Sequence, residues 1–446
     1  MSVIVSVIVP SLNVSNYIRE CVESILSQSL SNIEIICIDA GSSDGTRDIL
    51  EEYTQNDSRI RLIDSPVKSY GYQVNMGIKM ALGEYISIVE SDDYVDKDMM
   101  WYLYQQAKDF DADVSKGNFF RVCGNTHEAV ECEEQQIFLE HQHHFYNKRI
   151  ENDELLFRHT IDQNLWNGIY RRDFLLKRKI KLNETPGAAF QDMGFQQQVQ
   201  TLATSVVYGD KPIYYYRTDR DDSSTNQPKW LHNVVQEFIY LQNSHLWQEK
   251  ESLIHKPYVI ARLAVAFMTE LRRIIIKKDF SLKEDTWLDD YTFLQKEFKK
   301  LISEDVLAYW QLTRWMWEHL NLAIRSLKSY ADFLWMQEEF RKITKEKYIS
   351  IYQKESYVIF SCGAWGKVAA QFLKGQGKNV LAFADNAKNN WGKTILDTRV
   401  ISPKEAVEQY QDIDFIVANQ YYGDKIKNQL LDMGIPAHKI TIYHPI

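Results

Sequence analysis

Three short apolar runs in the first ninety residues each empty into a polar, mostly acidic turn, and this pattern narrows the possible folds more than any other feature. Val5–Val9 leads into Pro10, Ser11, Leu12 and Asn13; Ile33–Ile38 leads into Asp39–Thr46; Tyr85–Val89 leads into Glu90–Tyr94. A fourth run, Ile60–Ile63, lies among them, and Tyr17–Ser27, Thr46–Thr54 and Asn75–Ala81 carry helical spacing. Strands alternating with helices predict an α/β fold with a parallel, doubly wound sheet. Ligands of such sheets bind beyond the carboxyl ends of the strands. The three turns therefore predict one shared site.

The same residues carry a resemblance. VSVIVPSLN, IDAGSSDGT, GYQVNMGIKMALGEYISIVESDDYV and the later FQDMGF occur in order, and the chain resembles glycosyltransferase family two through YYYRTDR at Tyr214–Arg220. The resemblance implies a GT-A catalytic domain, a nucleotide-sugar donor (UDP-hexose by family tendency), a divalent Mn2+ or Mg2+ ion and transfer with inversion. It places the metal at Asp92, with Asp93 beside it. Glu90 stands where relatives carry a leading Asp, and whether it meets the ribose, the metal or neither is open. The resemblance also puts Asp39 at the nucleobase or ribose, although Ala40 stands where relatives carry a second acid and Asp39 also suits a turn role; it puts Pro10 and Asn13 along the nucleotide pocket, Ser42 in the turn beyond Asp39, and Asn75 in the donor-phosphate segment. Asp44 suits a helix cap better than a ligand contact. Glycines near Asn75 permit close backbone approach at a helix N-terminus, a place that favours phosphate oxygens. Asp192 matches the family's catalytic base, a position that also suits an N-cap. Trp166 falls at a second landmark, read as packing below the acceptor cleft. Arg217 and Ser223–Ser224 match a flap over the donor phosphates, although Arg217 also suits a surface ion pair.

A divalent ion fits the chemistry. A sugar diphosphate leaves only when its charge is neutralised, and hard cations do this through one or two carboxylates plus phosphate oxygens. The formal net charge of -9 excludes an ordinary basic nucleic-acid surface. It does not exclude a phosphorylated donor bridged by a cation. The five cysteines are scattered and read as reduced thiols. His141, His143 and His144 lack a metal spacing and read as a solvated loop. No stretch reaches the ~18 apolar residues of a membrane helix. A cytoplasmic enzyme that reaches a membrane-borne acceptor from the water side is the expectation, with peripheral association at the inner face.

Texture divides the chain into 1–220, the catalytic domain; 221–355, a helical region; and 356–446, a small Rossmann-like α/β domain. Asp219–Pro228 reads as a linker or lid. Val259–Ile276, Leu301–Leu327 and Tyr330–Ile343 have helical spacing, and their tryptophans, among them Trp310 and Trp315, suggest a core or a homodimer interface. The last domain shows Ser361–Gly366 at a strand-to-helix turn and Asp385 after the next strand, an incomplete dinucleotide fingerprint. The acceptor is expected to be a glycan on lipid or protein, as in polysaccharide synthesis or protein glycosylation. Two other readings fit fewer residues. One is a nucleotide-sugar oxidoreductase or epimerase run by the last domain, which lacks a YxxxK pair. The other is a non-catalytic nucleotide-sugar binder, against which stand the intact Asp92, Asp93 and Asp192.

Overall fold

The structure is a computed structural model that describes residues 2–123, 131–138, 140–151, 159, 163–218, 230–248, 250–282, 286–308, 311–419 and 422–443. The expected linker Asp219–Pro228, the flap serines Ser223–Ser224 and Trp310 lie outside the described residues. Two compact units are present, Met1–Asp332 and Phe333–Ile446.

The first unit is built on β1 (Val5–Ser11), β2 (Ile33–Asp39), β3 (Ile60–Asp64), β4 (Tyr85–Ile88), β5 (Tyr94–Val95), β6 (Val114–Cys123), β7 (Glu131–Gln135), β8 (Arg149–Glu151), β9 (Gly168–Arg171) and β10 (Ser205–Arg217). These form one ten-stranded sheet whose main path runs β3-β2-β1-β4-β9-β6-β10-β5. Every residue of β1 and β2 is buried, as a strand covered on both faces requires. Helix α1 (Ile18–Leu26) covers them with Ile18, Cys21, Val22 and Ile25, the one-sided stripe of an amphipathic helix. Helices α2 (Thr46–Asn56), α3 (Tyr70–Met80) and α4 (Met99–Asp109) follow.

The sheet departs from the parallel expectation. The run β3-β2-β1-β4 is parallel; β9 pairs antiparallel with both β4 and β6, and β10 pairs parallel with β6 but antiparallel with β5. The apolar runs set which segments become strands, but not their direction, which depends on how the chain returns.

Beyond these lie α5 (Arg172–Lys177), α6 (Gln191–Leu202), α7 (Trp230–Gln242), α8 (Lys256–Lys277), α9 (Trp287–Ser303), α10 (Arg314–Arg325) and α11 (Leu327–Ile351). The expected helix Leu301–Leu327 is not continuous. It is the end of α9, a break, and then α10, which Thr313 caps by accepting the Met316 amide at 3.2 Å. No helix among the described residues is long and apolar enough to cross a membrane.

The second unit contains β11 (Ser356–Phe360), β12 (Asn379–Ala384), β13 (Thr394–Ile395), β14 (Thr398–Ile401), β15 (Asp414–Val417) and β16 (Ile440–Ile442), ordered β13-β14-β12-β11-β15-β16. All pairs are parallel except β13–β14. Along β11 the side chains alternate between two cores, Val358 and Phe360 in one and Tyr357 and Ile359 in the other. Helix α12 (Ala364–Gly375) starts at the Ser361–Gly366 turn, where a Cβ on Gly366 would meet the Ser361 carbonyl oxygen at 1.9 Å. The Asp385 carboxylate, suggested by the fingerprint for a ribose, accepts the Cys362 amide at 3.0 Å and the Ala387 amide at 2.8 Å.

Candidate active site

Parallel pairing lines up the carboxyl ends of the first strands. Ser11 on β1 stands opposite Asp39 on β2, and Ile8 stands opposite Ile88 on β4. The buried Gln73 amide of α3 clamps this edge, donating to the Ser11 carbonyl at 3.0 Å and to the Ile38 carbonyl at 2.6 Å.

The turns after β1 and β2 are laced together. Asp39 accepts the Gly41 and Ser42 amides, each at 3.0 Å, and the Ser42 hydroxyl at 2.5 Å. Ser42 Oγ accepts the Asn13 amide at 2.9 Å, and Asn13 Oδ1 accepts the Ser43 amide at 2.9 Å. Asn13 takes φ 53°, a conformation asparagine tolerates better than most residues. Asp44 accepts Ser15 N, Thr46 N and Thr46 Oγ1. Burial alone would raise its carboxyl, but the hydrogen bonds from Thr46 and Ser15 hold it well below the usual range. Asp44 thus ties the first turn to the start of α2 from one residue ahead of the cap at Gly45. Asn13, Asp39 and Ser42 are brought together, with Pro10 buried in β1 opposite Ile38.

Asn75 lies apart from that network. Its side chain accepts the Leu182 amide and donates to the Leu182 carbonyl and to Glu184, each at 2.9 Å. The nearby glycines serve the same docking. A Cβ on Gly71 would meet the Asn183 carbonyl oxygen at 1.9 Å, and one on Gly77 would meet Ile8 Cγ2 at 2.6 Å. The close approach expected there is made by the protein's own chain, which α3 needs in order to pack on β1 and hold the segment ahead of α6.

The third turn is held from β10. Asp93 is buried; one oxygen accepts the Tyr214 hydroxyl at 2.8 Å and the other accepts the Arg217 amide at 2.8 Å. Burial, then the Asp92 charge, raises the Asp93 carboxyl well above its usual range. Arg217 is buried, donates Nε to the Asp92 carbonyl at 3.0 Å and pairs with Glu20 at 2.7 Å. Its guanidinium also lies over the rings of Tyr17 and Tyr94. Glu90 accepts the Tyr70 hydroxyl at 2.5 Å. Burial pushes its carboxyl up to about 8, the Tyr70 hydrogen bond opposes this, and the Asp92 and Asp192 charges add to it.

Asp192 enters from α6. Phe190 precedes it at φ 67°, and the Gln191 amide anchors the turn to Thr185 and Gly187. Asp192 Oδ1 accepts the Met193 amide at 2.8 Å. The residue keeps open surface yet sits in a recess crowded by protein. That crowding raises its carboxyl, and the Met193 amide and the Arg262 charge pull it back. The Tyr216 hydroxyl, pushed up to about 12 by burial, also feels Asp93, Asp92, Glu90 and Asp192. All four carboxyls therefore act on the one Tyr216 hydroxyl. Among the described residues no three metal-ligating side chains converge on a point.

Trp166 lies beneath this place. It is buried, stacks on Tyr214 with centroids 4.3 Å apart and on Tyr216 at 5.2 Å, and so forms part of the aromatic floor. His143 bonds Gln136 at 3.0 Å on the surface. Sequence reasoning missed Arg262 on α8, whose charge acts on Asp192, and Glu237 on α7, on which the Asp192 charge acts. Glu237 is the one charged residue of its helix, and that oddity was the available signal; Arg262 shares its helix with Lys256, Glu270, Arg272, Arg273 and Lys277 and gave none.

Comparison with known proteins bears on the family and the fold. The family model Glycosyl transferase family 2 matches residues 6–176, and a model described as C2185-like, N-terminal, matches residues 353–441. Glycosyltransferase GlyG of Streptococcus pneumoniae is 33% identical over 247 residues, covering 53% of this chain and 79% of GlyG. Glycosyltransferase GlyA of the same organism is 25% identical over 296 residues, covering 63% of this chain and only 40% of GlyA. The crystal structure of S. aureus TarS 1-349 superposes with a TM-score of 0.54 at 20% identity, covering 76% of this chain and 91% of that one; TarS is also known in complex with UDP-GlcNAc. The likeness to TarS is one of fold. The chain belongs to glycosyltransferase family 2, and it is a glycosyltransferase with a GT-A fold.

Proposed function

We propose that the protein transfers a hexose from a UDP-sugar to a hydroxyl of a glycan acceptor, with inversion and with Mn2+ or Mg2+ at the donor diphosphate. One observation carries this reading: Asp92 and Asp192, a hundred residues apart in the chain, act electrostatically on the same Glu90 carboxyl. The UDP-GlcNAc complex of the TarS fold supports the choice of donor. Both Asp93 oxygens serve β10, and the resemblance puts the cation at Asp92, which suits an ion held by few protein oxygens. When bound, the ion supplies positive charge to the departing diphosphate.

The chain's own residues do the rest. Asn13, Asp39 and Ser42 shape the nucleotide end. Asp192 takes the proton from the acceptor hydroxyl as that oxygen bonds the anomeric carbon and the bond to the diphosphate breaks on the opposite face. A carboxyl raised above its usual range is a stronger base for that proton. An acceptor on a lipid carrier would be met from the water side of a membrane.

Release of UDP from a panel of UDP-sugars, with and without a glycan acceptor and with chelator, tests the reading. Asp92→Ala should abolish the metal-dependent turnover. Asp192→Asn should bind donor in calorimetry yet lose roughly 10²–10⁴-fold in transfer. Unchanged transfer by Asp192→Asn would remove it as the base.

A further inference from the structure

Glu237 on α7 is 1% exposed, and neither of its carboxyl oxygens has a hydrogen-bond partner. The Asn183 amide lies near enough to ease the burial but outside hydrogen-bond geometry. The carboxyl rests on α6: a Cβ on Gly194 would meet Glu237 Oε2 at 2.0 Å. Gly194 stands two residues after Asp192, on the same turn. A Cβ there would force the carboxyl end of Glu237 to shift, so the glycine keeps the acid where it lies.

A leucine or methionine would pack here without orphaned oxygens. An ionised carboxylate in the same place would be the costliest occupant, since it would lie beside Asp192 without a counter-charge. The groups that act on Glu237 are Asn183 and Asp192. On its own helix Tyr240 feels Glu237, and Glu184 acts on Tyr240 from the preceding segment. The Arg262 guanidinium of α8 acts on Asp192 and donates to Gln163 at 2.7 Å.

Resting on the reading of Asp192 as the base, we propose that Glu237 is a positioning residue that works in its protonated form: a neutral acid laid on Gly194, which holds the first turn of α6 and leaves Asp192 the charged carboxylate of the pair. Burial pushes the Glu237 carboxyl up to about 8, with the Asp192 charge adding to it, so the neutral form persists through neutral pH. Above that pH two like charges meet at the foot of α6, the turn loosens and transfer declines. The ionisations are coupled, so the limb in the pH profile belongs to the pair.

The test compares wild type, Glu237→Gln and Asp192→Asn. Transfer kcat and KM are measured from neutral to alkaline pH, and melting midpoints from acid to alkaline pH. Glutamine keeps the shape and cannot ionise. The expected result is an alkaline limb in wild-type kcat that Glu237→Gln moves upward by at least about one pH unit, roughly tenfold in relative kcat at the alkaline end. Wild type should also lose melting temperature relative to Glu237→Gln as pH rises from the ordinary glutamate range toward 8, because the native state must give up a proton it holds more tightly than the unfolded chain. A buried acid with no bearing on Asp192 would still shift the melting curve with pH, but it would leave the alkaline limb of kcat where it is. Parallel curves for wild type and Glu237→Gln, with Asp192→Asn inactive, overturn this inference alone. An active Asp192→Asn removes the base reading on which it rests. Should Glu237→Gln fail to fold, carboxyl 13C shifts of glutamate-labelled Glu90→Gln protein decide: an ionised Glu237 at neutral pH overturns the proposal, and a protonated one upholds it.

Discussion

Gly194→Ala should destabilise the native protein but stabilise it once Glu237 is removed. In an ordinary helix interior this exchange gains about 1 kcal/mol from backbone entropy. Here the new methyl would stand 2.0 Å from Glu237 Oε2, far inside contact distance, and Glu237 is sealed between α6 and α7. Overpacking of this kind costs about 1–3 kcal/mol, so the net is a loss of up to about 2 kcal/mol. In Glu237→Ala the opposing atoms are gone, the alanine methyl fills vacated space, and the propensity gain of about 1 kcal/mol remains. The coupling between the two sites is then about 1–3 kcal/mol, above the few tenths expected of independent positions. Urea unfolding followed by tryptophan fluorescence measures the four corners of the cycle. The two compact units can unfold in separate steps, so only the step belonging to Met1–Asp332 should move. A stabilising Gly194→Ala in the wild-type background, or the same sign in both backgrounds, would refute the steric reasoning.

Gln73→Ala removes the clamp on β1 and β2 and leaves two carbonyls without that donor, at a cost of about 2–4 kcal/mol. Its donor KM should rise more than its kcat falls; a loss under ~1 kcal/mol in urea unfolding would contradict the clamp. Arg217→Lys cannot span both the Asp92 carbonyl and Glu20, and should cost about 1–3 kcal/mol. A variant as stable as wild type whose donor KM rose tenfold or more would instead favour the phosphate contact for Arg217.

The strands of the first unit were readable because a doubly covered strand must be apolar throughout, and the end of each apolar run marks where the chain reaches solvent. Val5–Val9 and Ile33–Ile38 became β1 and β2 with two residues and one residue added. Asp39, Glu90 and Asp92 were readable as strand-end carboxylates because they stand where those runs stop. Asn75 and the glycines beside it were harder. Their spacing suits a phosphate loop and a chain-docking site equally, and only the position of residues 182–184 reveals the docking. Asp93 and Arg217 looked available for ligands until β10 was seen to hold them.

Local periodicity and composition, which depend on neighbours in the chain, decided that this protein has an α/β core with acidic strand ends, a helical stretch and a second small sheet. Strand direction, and the meeting of Glu237 and Arg262 with Asp192 across forty-five and seventy residues, came only from tertiary structure. A residue's sequence does not say which distant helix will press on it. Burial and like charge act through space, so the proton affinity of a carboxyl is set by atoms that its own stretch of sequence does not contain.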